Sequence, residues 1–215
     1  MYGYNTDILG CVVERASGLS LAEFFRNRIF EPLGMKDTSF HCPPGKVDRF
    51  ATGYMGKGED KPLTFADSPT DGEWNRAPAF PFGAAGLVST VDDLLAFGGM
   101  LENEGAHGKH RVLARTSVLA MATDQLDGTE NASRHFIEGY FDSRGWGFGC
   151  AVVTKRSGPD ASPGAFGWDG GWGTSLWIDP AEKLVGVLLT QRSGPPSSSP
   201  IYRDFWALVY GGLDG

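Results

Sequence analysis

Apolar residues recur three and four positions apart in five stretches of the chain, and this spacing predicts five helices. The first has Thr6 as its predicted N-cap and Gly18 just beyond its end. Ser20 and Glu23 have the spacing of a capping box at the start of the second predicted helix. The predicted helices cover residues 6–16, 24–30, 91–103, 117–124 and 202–210, and the buried stripe expected on the third is Leu94, Leu95, Phe97 and Leu101.

Apolar and β-branched runs concentrate after residue 145 and predict strands. They cover Trp146–Thr154, Ala165–Trp168, Thr174–Ile178 and Leu184–Gln191. The last two are separated by Asp179–Glu182, where proline presets φ and aspartate can bond to its own backbone, so we expect a hairpin. Proline and glycine breakers predict irregular chain over 34–82, and polar residues predict a surface loop over 128–144.

Helices followed by consecutive antiparallel strands and a closing helix predict an α+β fold. We expect two regions within it. Residues 1–144 form a helical and loop region, and residues 145–215 form an antiparallel sheet with a C-terminal helix.

Composition excludes several classes of partner. The chain of 215 residues has a net charge of −7 and contains no basic block, so neither nucleic acid nor an anionic membrane is an expected partner. No apolar run is long enough to cross a bilayer. Its 3 cysteines and 4 histidines show neither a disulfide framework nor metal-ligand spacing. We therefore expect no metal and no cofactor.

Glycines are unusually dense just before the predicted hairpin. Gly167, Gly170, Gly171 and Gly173 flank Trp168 and Trp172. Glycine weakens a strand, so several in one strand indicate that another group approaches the backbone closely, and a ligand is one candidate. Glycine-rich strand ends also occur at bends and bulges, and tryptophan is more often part of a core than of a site.

Four stretches, in this order, resemble the serine β-lactamase and penicillin-recognising superfamily, most closely its class C β-lactamase and family VIII carboxylesterase branch. They span nearly the whole chain and are Tyr2–Gly10, Pro32–Thr38, Gly86–Asp93 and Trp168–Pro180. The resemblance implies acyl transfer, in which the serine of a Ser-x-x-Lys motif attacks a carbonyl carbon. It also implies a partial β-lactamase/transpeptidase-like fold.

The resemblance implies catalytic roles for two residues. Tyr2 corresponds to the tyrosine that acts as general base toward the serine and general acid toward the leaving group. That role requires a phenol whose pKa a nearby ammonium lowers from about 10. The N–H of Gly171 would be an oxyanion donor on the strand edge.

The substrate-binding residues implied by the resemblance are Tyr4, Trp168, Asp169, Gly170 and Trp172. Tyr4 stands where β-lactamases have an asparagine. Trp168-Asp169-Gly170 replaces Lys-Thr-Gly, and loss of the lysine removes a cation that would attract a substrate carboxylate. We therefore expect a carboxylesterase-like activity on a small ester or amide. For Asp169, a turn at a solvent-facing edge is an equally weighted alternative.

No Ser-x-x-Lys motif and no Gly-x-Ser-x-Gly motif occurs in the sequence. Since family members carry the serine before the tyrosine motif, we expect this chain to be the C-terminal portion of a longer hydrolase. Alone it should be inactive and should leave a sheet edge open, to pair with an N-terminal complementing segment or with a second copy. The alternative is a non-catalytic relative that acts as a binding or interaction module.

Overall fold

The computed structural model describes residues 4–58, 61–126, 140–158, 161–194 and 200–213. Its α-helices are α1 (Asn5–Ser17), α2 (Leu21–Phe25), α3 (Glu31–Leu33), α4 (Val91–Glu102), α5 (Arg115–Met121) and α6 (Ile201–Gly211). Its strands are β1 (Gly53–Met55), β2 (Thr64–Asp67), β3 (Ala106–His107), β4 (His110–Arg111), β5 (Arg144–Trp146), β6 (Ala151–Val153), β7 (Phe166–Gly170), β8 (Thr174–Asp179), β9 (Leu184–Leu189) and β10 (Arg192–Ser193). The predicted α+β class and the order of its parts are confirmed.

The first helix ends where the sequence predicts but begins earlier. Gly18 follows α1 with a φ of 72°, the left-handed conformation that glycine adopts at little cost. The N-cap is Tyr4 rather than Thr6, so the predicted cap is wrong. The N–H of Ile8 already bonds to the Tyr4 carbonyl at 2.9 Å, which places Thr6 inside the first turn.

A π-helical turn, Arg26–Phe30, joins α2 to α3. The predicted capping box is confirmed, because Ser20 Oγ accepts the Glu23 N–H at 3.2 Å and Glu23 Oε2 accepts the Ser20 N–H at 3.1 Å. The helix does not stop before Pro32 but continues to Gly34, whose φ is 69°. A proline ring collides with the carbonyl four residues earlier in a regular helix, and the wider π turn gives that ring room.

The main sheet is an antiparallel meander in the order β5-β6-β7-β8-β9. The predicted hairpin is confirmed, since Asp179 Oδ1 accepts the N–H groups of Ala181 and Glu182 at 3.0 and 3.3 Å. The single strand predicted over 146–154 is instead the β5–β6 hairpin. Its turn closes with a hydrogen bond of 2.8 Å from the Gly147 N–H to the Cys150 carbonyl.

Helices pack on both faces of this sheet. On one face Gly98 of α4 lies so close to Val185 that an added Cβ would clash with it. On the other face the ring of Trp206, from α6, lies over Gly186. The α4-face core contains Phe30, Leu33, Met35, Met100, Leu101, Val118, Val152, Phe166 and Ile178, and the α6-face core contains Ala151, Val153, Ala165, Trp177 and Trp206.

The stripe predicted for α4 is partly wrong. Leu95 is 40% exposed, whereas Gly98 and Met100 are buried. The face of α4 that carries the smallest residue approaches the sheet most closely, so it displaces the leucine stripe from the centre of the contact.

A second sheet has the order β10-β1-β2, and the sequence analysis missed all three of its strands. β1 pairs in parallel with β10, Tyr54 opposite Arg192, and antiparallel with β2. The prediction of irregular chain over 34–82 is therefore wrong in part. β1 and β2 were missed because they have only 3 and 4 residues and are largely exposed, so their sequences show no alternation of apolar and polar residues. The predicted loop over 128–144 lies mostly outside the described residues.

The proposed boundary at residues 144 and 145 stays a prediction, and one core draws on both sides of it. Phe30 and Met100 lie in the same apolar cluster as Val152 and Phe166. Among the described residues, no helix is long and apolar enough to cross a membrane.

Candidate active site

The predicted ligand-facing stretch forms the end of the β7–β8 hairpin, and residues 168–174 are called the glycine ribbon below. Gly170 ends β7, and its carbonyl accepts the Gly173 N–H at 3.1 Å to close the turn. Gly173 has a φ of 73°, and a Cβ there would strike Thr190 Oγ1. A Cβ on Gly170 would strike Thr174 Oγ1. The backbone itself therefore requires a glycine at position 173, whereas the clash at Gly170 is with a side-chain hydroxyl.

Trp168 lines an apolar cavity of about 350 Å³ between α4 and the sheet. Its ring packs edge to face against Trp146, with 4.8 Å between ring centroids. The described residues that line the cavity include Leu94, Phe97, Met121, Phe148, Cys150, Gly170, Thr174, Leu176 and Leu189, and none of the lining residues is charged. The cavity therefore suits an uncharged apolar group.

The thiol in this cavity is not poised to act as a nucleophile. Burial raises the pKa of Cys150 to about 11. The Cys150 thiol also donates to the Met121 carbonyl at 3.4 Å. Since the thiolate is the reactive form, Cys150 is an apolar lining residue at neutral pH.

Asp169 lies in β7 opposite Ser175 of β8, so the alternative of a solvent-facing turn residue is wrong. Its Oδ1 accepts hydrogen bonds from Ser175 Oγ at 2.6 Å and from Trp177 Nε1 at 3.1 Å. Ser175 Oγ in turn accepts the indole N–H of Trp206 at 3.1 Å. The carboxylate is thus tied to the α6 side of the hairpin, and its role toward a substrate stays a prediction.

Gly171 and Trp172 form the turn of the ribbon. Gly171 is exposed, and a Cβ placed there would meet no atom of the described residues within 4 Å. Its carbonyl accepts the Gly194 N–H at 3.4 Å. The Trp172 ring lies against Gly53 of β1. The Trp172 carbonyl accepts a hydrogen bond from the Thr190 hydroxyl at 3.2 Å. Trp172 therefore joins the ribbon to the small sheet, while no described side chain covers Gly171.

The tyrosine motif is only partly described. Tyr2 lies outside the described residues, so its predicted catalytic role stays a prediction. Tyr4 precedes α1 and is 81% exposed, so it packs against little of the described chain. A loop missed in the sequence analysis lies beside it. Asp7 Oδ1 accepts the Ala84 N–H at 3.0 Å, and a Cβ on Gly83 would strike the Thr6 carbonyl.

A second cavity, of about 300 Å³, lies behind the ribbon and is lined by Asp169, Trp177 and residues of α6. One of them, Tyr202, donates to the Gly170 carbonyl at 3.1 Å. Burial, and then the negative charge of Asp169, raises the pKa of the Tyr202 phenol, while Arg192 opposes that shift. The sequence signal for this residue is the spacing of Tyr202, Trp206 and Tyr210, which places three aromatic donors on one face of α6. No group of metal-ligating side chains occurs among the described residues.

Comparison with known proteins places this geometry in a family. The Beta-lactamase family model matches residues 2–210. Protein Rv1367c of Mycobacterium tuberculosis is 34% identical over 198 residues, which are 89% of this chain and 48% of that protein. Esterase EstB of Burkholderia gladioli is 31% identical over 220 residues, with 93% of this chain and 51% of EstB covered.

Solved structures agree on the fold. Unliganded simvastatin synthase (LovD) from Aspergillus terreus superposes with a TM-score of 0.79 at 23% identity, over 98% of this chain and 55% of LovD. EstCE1, described as a hydrolase with promiscuous acyltransferase activity, gives a TM-score of 0.76 at 24% identity over 100% of this chain and 56% of that one. The chain thus spans about half the length of the curated relatives that it matches.

Proposed function

The chain belongs to the Beta-lactamase family, and we propose that its glycine ribbon is one wall of a serine-dependent site that hydrolyses small carboxylic esters. The attacking serine and its lysine come, in this proposal, from a Ser-x-x-Lys segment outside the 215 residues. EstB is named an esterase, which agrees with an ester substrate.

The apolar cavity beside Trp168 carries the proposal. A substrate carboxylate requires a cation, and a lysine at the start of the third motif supplies one in β-lactamases. Here Trp168 takes that position, and no lysine or arginine lies among the described residues that line the cavity. An ester whose acyl group is uncharged gains from burial in such a cavity, whereas a carboxylate would lose its hydration without compensation.

The proposed reaction has two steps. The serine oxygen adds to the ester carbonyl carbon while Tyr2 accepts the serine proton, and the oxyanion that forms is met by the Gly171 N–H. The C–O bond to the alcohol then breaks, and Tyr2 returns the proton to the departing oxygen. Water next attacks the acyl-serine by the same route and releases the acid.

Two surfaces support a complementing segment. Tyr4, Ile8 and Val12 recur every four residues along α1 and are 81%, 60% and 53% exposed, so they form an apolar stripe that begins at the tyrosine motif. Within the described residues β9 lies at the end of the main sheet, and its sequence Leu184–Leu189 is apolar. Such an edge and stripe are normally covered, and we propose that the Ser-x-x-Lys segment covers them.

The test compares this chain alone with an extended protein. In the extended protein an N-terminal segment that carries a Ser-x-x-Lys motif is joined ahead of the chain. We expect a fluorophosphonate probe to label the extended protein at the serine of that motif and a chromogenic short-chain ester to be hydrolysed. Replacement of that serine with alanine is the control and should abolish both signals.

Two outcomes would contradict the proposal. Labelling of the 215-residue chain by itself would show a nucleophile that the proposal denies. An extended protein that folds, as judged by circular dichroism, yet neither labels nor turns over ester would favour the non-catalytic binding module.

A further inference from the structure

The peptide group between Gly170 and Gly171 is held by two hydrogen bonds from opposite parts of the chain. The Gly170 carbonyl accepts the turn N–H of Gly173 at 3.1 Å and the phenol of Tyr202 at 3.1 Å. A carbonyl oxygen has two lone pairs, so both are used. The same peptide carries the N–H of Gly171, which is the oxyanion donor of the proposed function.

The direction of that N–H follows from covalent geometry. The peptide is trans, and in a trans peptide the N–H points opposite to the C=O. Because the carbonyl points toward Tyr202 on α6, the Gly171 N–H points away from α6. A Cβ on Gly171 would meet no atom of the described residues within 4 Å, so that part of the chain leaves the side of the peptide at Gly171 Cα open.

A hydrogen bond to a carbonyl also changes the N–H of the same amide. Donation by Tyr202 draws electron density onto the Gly170 oxygen, and the amide hydrogen on Gly171 becomes more positive. Gly171 has no side chain to lock the turn, and glycine is the most flexible residue. The phenol therefore adds a second hydrogen bond to the Gly170 carbonyl, which both restrains and polarises this peptide.

We propose that Tyr202 is a positioning residue that fixes and polarises the Gly170–Gly171 peptide, so that its N–H meets the oxyanion formed on the substrate. This inference rests on the proposed function. Tyr202 acts with Trp206, which donates to Ser175 Oγ, and with Tyr210, which donates to Asp179 Oδ2 at 2.8 Å. These three donors, spaced four residues apart, fasten the β7–β8 hairpin along its length.

The first test needs no activity. In the ¹⁵N-labelled 215-residue chain, Tyr202→Phe removes one hydroxyl and keeps the ring. We expect the Gly171 amide ¹H and ¹⁵N resonances to move upfield, because the amide loses polarisation. Tyr210→Phe is the matched control, since it removes the same group from the same helix face and should leave Gly171 unmoved. An unchanged Gly171 resonance in Tyr202→Phe would overturn the inference.

The second test uses the extended protein. Complete loss of an oxyanion donor costs about 10²–10³-fold in kcat, so a donor that is only misaligned should cost about tenfold. We expect Tyr202→Phe to lower kcat by that factor with KM unchanged, and Tyr210→Phe to leave both constants unchanged. Equal kcat values for the two variants would refute the positioning role. If no version of the extended protein turns over ester, the proposed function fails, while the Gly171 resonance still reports whether Tyr202 holds the peptide.

Discussion

Substitution of Asp169 with alanine separates a structural role of this carboxylate from a role toward substrate. The change removes the acceptor that Ser175 Oγ and Trp177 Nε1 share, at 2.6 and 3.1 Å. Ser175 and Trp177 are only 2% and 8% exposed, so water cannot readily replace the lost acceptor. We expect the 215-residue chain to lose stability rather than to stay folded with an altered pocket.

The size of the loss follows from the two donors. Each buried donor left without a partner costs about 1–3 kcal/mol. The hydroxyl of Ser175 can rotate to another acceptor, whereas the indole N–H of Trp177 cannot, so the sum should be about 3 kcal/mol. For a chain of this length that corresponds to a fall in Tm of roughly 10 °C.

Urea unfolding followed by tryptophan fluorescence measures this loss. Asp169→Asn keeps an oxygen acceptor at Oδ1 and should cost less than about 1 kcal/mol. Asp92→Ala is the control for loss of a carboxylate, because Asp92 is exposed on the first turn of α4. If Asp169→Ala unfolds at the same urea concentration as Asp92→Ala, the hydrogen bonds to Asp169 do not stabilise the hairpin, and the reasoning fails.

Three further predictions test other parts of the chain. Asp93→Ala should lower the free energy of unfolding in urea by about 3 kcal/mol relative to Asp92→Ala. The reason is that buried Asp93 accepts hydrogen bonds from the Asp37 N–H and from a threonine hydroxyl, both at 2.7 Å. Hydrogen bonds from Arg49 and then from a lysine lower the pKa of Asp37 to about 2. The free energy of unfolding should therefore fall as the pH drops from about 4 to about 2, and in acid titrations Asp37→Asn should show a smaller fall. Gly171→Val keeps the backbone N–H but puts a branched side chain beside it, so the kcat of the extended protein should fall with unfolding in urea unchanged. An unaltered rate would contradict approach of the substrate to this strand edge.

The ribbon was predictable from the sequence because its signals are local. Asp179 and Pro180 mark the turn between β8 and β9, and the glycine density marks a backbone that others approach. Gly173 bears this out, since its φ of 73° and its contact with Thr190 both exclude a side chain. The helix end at Gly18 was predicted for the same reason, whereas the second helix was expected to stop before Pro32 and continues to Gly34.

Contacts between distant residues were not predictable in this way. Tyr202 and Gly170 are 32 positions apart, and nothing in either neighbourhood specifies the bond between them. The pairing of β1 with β10 likewise joins Tyr54 to Arg192. The mistaken stripe on α4 has the same origin, because the burial of Gly98 depends on the approach of Val185 from β9.

In the proposed function, specificity and catalysis use different atoms of one ribbon. The oxyanion donor is a backbone N–H, so its position depends on the turn at Gly170–Gly173 and on donors such as Tyr202, and not on the side chain at position 168. Trp168 instead is one of the residues that line the cavity, and it adds no charge there. A change from tryptophan to lysine can therefore alter the preferred substrate without moving the oxyanion donor, provided that the hydrogen bonds from α6 still hold the peptide.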